Sequence, residues 1–234
     1  MSRRGDIDEF YQVLGELKRR SGGFRHLSQC DGRMAWPLRG VYFFFEPGEC
    51  REDGVSPRVV RVGTHALKAG SRSTLWGRLS QHRGNLSGTH AGGGNHRGSV
   101  FRRHVGDALI RRGLAVATSA QTWGQGNSAN RAVQEMEHVL EQEVSRYIRS
   151  LPFLVLGVDD EPGPDSDRGV IEPNAIALLS NYRREVIDAP SESWLGMSAA
   201  NPRIRESGLW NVDWVDGEYD PRFLSVVWHY VSTV

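Results

Sequence analysis

The run Gly40-Val41-Tyr42-Phe43-Phe44-Phe45-Glu46 constrains this chain more than any other segment. Its β-branched and aromatic side chains favour extended backbone, and no polar residue alternates with them. A strand of that kind is buried on both faces. The chain therefore needs a sheet covered on two sides, which points to an α/β fold. The same run is the longest apolar stretch and is far too short to cross a bilayer. With 234 residues, 38% of them hydrophobic, the chain can bury a proper core without disulfide staples. Its two cysteines, Cys30 and Cys50, form no CxxC pair, which excludes a cysteine-paired zinc module and a disulfide scaffold. The first residues, Met1-Ser2-Arg3-Arg4 followed by Asp6, Asp8 and Glu9, lack the apolar stretch of a signal peptide, so a cytoplasmic protein is expected.

Periodicity supplies the other elements. Phe10, Val13, Leu14 and Leu17 predict a helix over Ile7 to Arg20, ended by Gly22-Gly23. Val59 to Gly63 is a second strand, close enough to the first for a hairpin. Leu75 to His82 and Val100 to Arg112 are expected helices, separated by a glycine-rich loop from Gly84 to Gly98. Ala129 to Arg149 carries the clearest helical stripe, Val133, Met136, Leu140, Val144, Tyr147 and Ile148. Leu151 to Val158 is the third strand, Glu172 to Tyr182 a helix that opens on Glu172, and Phe223 to Val231 a final amphipathic segment. The expected fold is a small, mainly antiparallel three-stranded sheet flanked by helices, with no linker dividing residues 1–234.

The formal charge of +1 conceals a split. Residues 58–112 hold 11 basic groups and one acidic group, Asp107, while residues 113–234 hold 9 basic and 18 acidic groups. A basic segment inside a near-neutral chain is the footprint of a polyanionic partner, or else it pairs with the acidic half inside the fold. Most of its cations are arginine, because lysine occurs only at Lys18 and Lys68. Other motifs fail. Gly124-x-Gly126-x-x-Ala129 has no acidic residue at the spacing a dinucleotide site needs, and neither a phosphate loop nor a GxSxG elbow is present. His90 and His96 flank Gly92-Gly93-Gly94 without cysteine or carboxylate partners at ligand spacing, so no structural metal is expected there.

One constellation remains. The first strand holds Gly40-Val41-Tyr42 and the second ends Arg61-Val62-Gly63. A helix then carries Arg78 and His82, four apart and so on one face, expected at the border of the core. Glu172 and then Gly208-Leu209-Trp210-Asn211 follow. This order resembles the GIY-YIG nuclease superfamily: a Gly-Ile/Val-Tyr strand, a Tyr-Ile/Val-Gly strand, an Arg-x-x-x-His/Tyr helix, a glutamate on a later helix, and an asparagine. The resemblance spans residues 40 to about 211, closest in kind to the restriction-type and stand-alone members, and implies a core over about 38–211. Residues 1–37 are then an N-terminal helical extension and 212–234 a C-terminal one. Two positions depart from the pattern. Arg61 stands where the family has tyrosine, and Asn211 lies 39 residues beyond Glu172, with Asn181 as its rival.

The resemblance implies a Mg²⁺- or Mn²⁺-dependent endonuclease acting on DNA, with RNA left open, in a restriction, defence or repair role. The alternative is a non-cleaving nucleic-acid-binding module on the same fold. A third possibility, an unrelated enzyme whose strands mimic the motifs, expects Arg78 and Glu172 to lie far apart. In the family reading Glu172 holds the metal, Arg78 clamps the scissile phosphate, and Tyr42 touches the attacking water. His82 takes or relays a proton or positions water, and His65 is a further base candidate. A phenol serves in this way only beside positive charge, which Arg61, Arg78 and the ion would provide. Strand alternation places Arg61 on the face opposite Val60 and Val62. Lys68, Arg72, Arg83, His96, Arg97 and Arg102 are the candidate nucleic-acid contacts, and Gly92-Gly93-Gly94 would let the backbone approach a strand closely.

Overall fold

The computed structural model describes residues 2–114 and 121–234. Helix α1 (Arg3–Arg20) is capped by Ser2, whose hydroxyl accepts from Gly5 N, and it buries Phe10, Val13, Leu14 and Leu17. A short strand β1 (Arg25–His26) follows, then β2 (Gly40–Cys50), β3 (Pro57–Gly63), α2 (Leu75–Arg83), α3 (Val100–Arg111) and α4 (Arg131–Ser150). Strand β4 (Pro152–Gly157), α5 (Asp167–Leu179), α6 (Pro202–Ser207) and α7 (Phe223–Ser232) complete the order. The sheet is antiparallel with strand order β1-β4-β2-β3. It has four strands, one more than the sequence suggests, because the two residues of β1 are too few to show a period.

Strand β2 occupies the centre and is buried on both faces. Val41, Phe43 and Phe45 point into a core closed by α1, α5 and α7. Tyr42 and Phe44 point into a second core with α2, α3, α4, Trp194 and Trp210. Segments 1–37 and 212–234 thus contribute α1 and α7 to one of the two covering layers.

The pairing of β2 with β3 carries an irregularity that matters for the site. Tyr42 faces Gly63, Phe43 faces Val62 and Phe44 faces Arg61, but Phe45 faces Val59. Val60 is the extra residue of a bulge, which turns it into the Tyr42 core, while Val59 and Val62 pack into the other. Simple alternation fails here: Arg61 shares its side with Val60 and opposes only Val62. Helix α5 also departs from expectation. It starts at Asp167 with Ser166 as its cap, so Glu172 lies in the second turn, away from the helix N-terminus. Among the described residues, no helix is long and apolar enough to cross a membrane.

Candidate active site

Gly40 and Gly63 are glycines because the backbone comes too close for anything else. A Cβ on Gly40 would lie 2.3 Å from the Leu156 carbonyl oxygen of β4. One on Gly63 would lie 2.4 Å from both Cζ and Oη of Tyr42. The Tyr42 phenol therefore lies directly over Gly63, fully buried. Its oxygen is 2.8 Å from Nε2 of His82, whose Nδ1 is 2.8 Å from the Ser99 hydroxyl. Ser99 also caps α3, accepting from Arg102 N. His82 is wholly buried in this chain of bonds, not at the core border where helical spacing put it. Burial, then the charges of Arg78, Arg61 and Arg102, drives its pKa well below 6.5, so the ring is neutral at neutral pH. It holds the phenol in place and resists taking a proton.

Arg61 reaches the same place from β3. Its guanidinium donates to the Trp210 carbonyl at 3.1 Å and lies over the Phe101 ring, 4.7 Å from the centroid. Burial lowers its pKa, Tyr42 and Glu172 oppose that shift, and Arg78 adds to it. Glu172 comes from α5, where Oε1 accepts from Thr64 N, just past the end of β3. Burial raises the pKa of this carboxyl, against the pull of Arg61, the Thr64 N–H and Arg78. Arg78 is half-exposed on α2, with Nη1 bonded to the Gln81 side chain and to Gly98 O. Tyr42, Arg61, Arg78, His82 and Glu172 thus act on one another electrostatically, Arg78 lowering the pKa of Glu172 and of His82.

The asparagines serve the backbone. Asn211 brackets Val62 like a strand partner, Oδ1 accepting from its N–H and Nδ2 donating to its carbonyl. With Trp210 N donating to Val60 O, it seals the edge of β3. Asn181 does the same for Ile187 and also accepts from Arg3. Each amide spends its oxygen and one of its two N–H groups on that backbone.

The basic segment divides. Lys68 and Arg72 are exposed. Arg83 donates to Cys30 O and covers the Trp76 ring. Arg97 is held by both oxygens of Glu137. His96 and Arg102 are buried on Glu141, with His96 stacked on Trp123. Of the expected nucleic-acid contacts, His96, Arg97 and Arg102 are therefore consumed by carboxylates of α4. Their partners lie about forty positions away in sequence, beyond the reach of local pattern.

Three features escape sequence patterns. Ser99 sets the bonding of His82, and Thr64 holds Glu172 through its backbone. The third is the setting of His65, which is 7% exposed. The next residue, Ala66, has φ 59°, a strained conformation for a residue with a Cβ. The buried Arg168 guanidinium grips the His65 carbonyl and is itself paired with Asp160 at 2.6 Å.

As a metal site the cluster is spare. Among the described residues, no group of three or more His, Cys, Asp or Glu gathers to form a cage. Glu172 Oε2 accepts no hydrogen bond from the described residues, and this all-oxygen donor fits Mg²⁺, which keeps most of its water and takes few carboxylates.

The family model described as GIY-YIG domain matches residues 1–234. No curated protein and no solved structure matches the chain.

Proposed function

The chain belongs to the GIY-YIG domain family, whose members are generally endonucleases acting on DNA, and from that premise we propose that it is a divalent-metal-dependent DNA endonuclease. One observation carries the reading: Tyr42, Arg61, Arg78 and Glu172, drawn from two strands and two helices, share one electrostatic cluster. Hydrolysis forms a bond from a water oxygen to phosphorus and breaks the bond to one bridging oxygen, with a proton leaving the water and one reaching the departing oxygen. The Tyr42 oxygen orients the attacking water, and the neutral His82 fixes the direction of that oxygen. Arg78, the half-exposed cation, clamps a non-bridging phosphate oxygen. Arg61, in the position of the family tyrosine, faces the Tyr42 phenol from within the core. His65, buried one residue past Thr64, offers a further polar contact beside the Glu172 backbone anchor. A Mg²⁺ or Mn²⁺ held by Glu172 would supply neutralising charge at the phosphate.

Glu172→Gln tests the reading. It should abolish divalent-dependent cleavage and leave DNA binding largely intact, since the exposed cations are untouched. Arg78→Ala should lower the single-turnover rate by about 10²–10³. Full activity in Glu172→Ala overturns the assignment. Binding without cleavage by the unaltered protein, at any divalent ion tried, favours the non-cleaving module.

A further inference from the structure

A polar cavity lies outside the Tyr42–Glu172 cluster. It has a volume of about 340 Å³ and opens between the glycine-rich loop and the start of α4. We propose that it is a receptor for a single nucleobase, unstacked from the strand that the enzyme binds. The proposal rests on the DNA-endonuclease reading.

Charge gives the first argument. The floor holds Arg97, Glu137 and Glu141, but both carboxylates are saturated: Glu137 by Arg97 and Glu141 by His96 and Arg102. The floor is electrically balanced, so the cavity suits a neutral polar guest and not a phosphate. The walls give the second. Asn85, Asn95, Asn127 and Gln134 line the cavity. No described residue bonds the side chains of Asn85 or Asn127. Asn95 keeps its Nδ2 free, its Oδ1 taking Arg97 N, and Gln134 keeps its Oε1 free, its Nε2 bonding Ala129 O. Paired amide donors and acceptors match the edges of bases. His90 and His138 stand on the same wall with ring centroids 5.5 Å apart and planes at 58°, offering flat faces to a planar ring.

Position gives the third. The Arg78 guanidinium bonds Gly98 O, next to Arg97 in the cavity floor. Asn85 lies two residues past the end of the helix that carries Arg78, so the two flank one short stretch of chain. Taking one base out of the stack costs least in single-stranded or mismatched DNA, so such substrates should be favoured.

The test uses single-stranded oligonucleotides carrying one 4-thiothymidine or 6-thioguanosine at successive positions, photocrosslinked to the Glu172→Gln protein and mapped by mass spectrometry. Crosslinks are expected within residues 85–97 and 127–138 from one favoured position. Asn85→Ala with Gln134→Ala should cut their yield about tenfold, equivalent to about 1.4 kcal/mol. Bound oligonucleotide crosslinked only elsewhere overturns the proposal and leaves the nuclease reading standing. A protein that binds no DNA removes the nuclease reading instead. The four free deoxynucleosides, titrated against the His90 and His138 ring resonances, then decide the cavity alone. No saturable shift overturns it. A shift from free nucleosides without strand crosslinks replaces the strand base with a small-molecule guest and overturns it too.

Discussion

Gly63→Ala probes the site through geometry alone, since it adds one methyl group and removes no polar atom. That methyl carbon would sit 2.4 Å from Cζ and Oη of Tyr42. Ordinary carbon contacts need about 3.5 Å, so the ring must retreat by about 1 Å. It has nowhere to go, being 0% exposed, edge-on to Phe44 and His82, and bonded to His82 Nε2. Overpacking of this kind costs about 1–3 kcal/mol. Breaking the Tyr42–His82 bond adds about 0.5–1.5 kcal/mol. For a chain of this size, each kcal/mol is worth about 2–4 °C in Tm, so a fall between about 3 and 18 °C is expected. A displacement of about 1 Å at the group orienting the water should lower the single-turnover rate about 100-fold. Cleavage and thermal melts on the same preparation separate the two effects. Gly40→Ala is the contrast, because its methyl meets the Leu156 carbonyl of the neighbouring strand, which cannot rotate away, and it should fail to fold. Wild-type cleavage with an unchanged Tm in Gly63→Ala would refute both the packing argument and the role of Tyr42.

Arg61 should matter to both rate and stability. Arg61→Lys is expected to keep some activity, Arg61→Tyr to keep part of it, and Arg61→Ala to lose it along with the Trp210 carbonyl contact, at about 1–3 kcal/mol. Single-turnover rates matching wild type in Arg61→Ala would make the residue purely structural. The salt dependence of DNA binding should be milder than the basic segment suggests. Six phosphates would give a log–log slope of roughly −5, but if, with Arg97 and Arg102 paired internally, contact is confined to Lys68, Arg72 and Arg78 beside the site, the slope falls to about −3. A slope of −5 or steeper would contradict that three-contact footprint.

Acid should destabilise the fold through its histidines. Burial first, then neighbouring arginines, holds His65 and His104 down to about 4, and His82 goes well below 6.5. The unfolded chain protonates them near pH 6.5, so their contribution is complete above that pH and is lost as pH falls from about 6.5 toward about 4. The slope approaches about 1.4 kcal/mol per pH unit for each. Melts at pH 7.5, 6 and 5 should show the fall, and His104→Gln should flatten it. Identical acid slopes in the two proteins would count against the assignment.

The sequence by itself determined the central strand, its burial on both sides, the hairpin and the helices, because these depend on alternation or helical period within a few neighbouring residues. It also carried the order of the family motifs, from Gly40 through Glu172. Tertiary structure decided what those residues face. The bulge at Val60 moved one valine to the Arg61 side, a shift of register that depends on β2 as much as on β3. His82 became a buried link between Tyr42 and Ser99, because the start of α3, with Ser99, Phe101 and Arg102, meets it. Asn211 went to the backbone of Val62, across 149 positions. The arginines of the basic segment show the same limit. Their charge is visible in the sequence, yet whether an arginine meets solvent or a carboxylate is set by which helix packs beside it. Glu137 and Glu141 on α4 claimed Arg97 and Arg102, while Lys68 and Arg72, with no such neighbour, stayed on the surface.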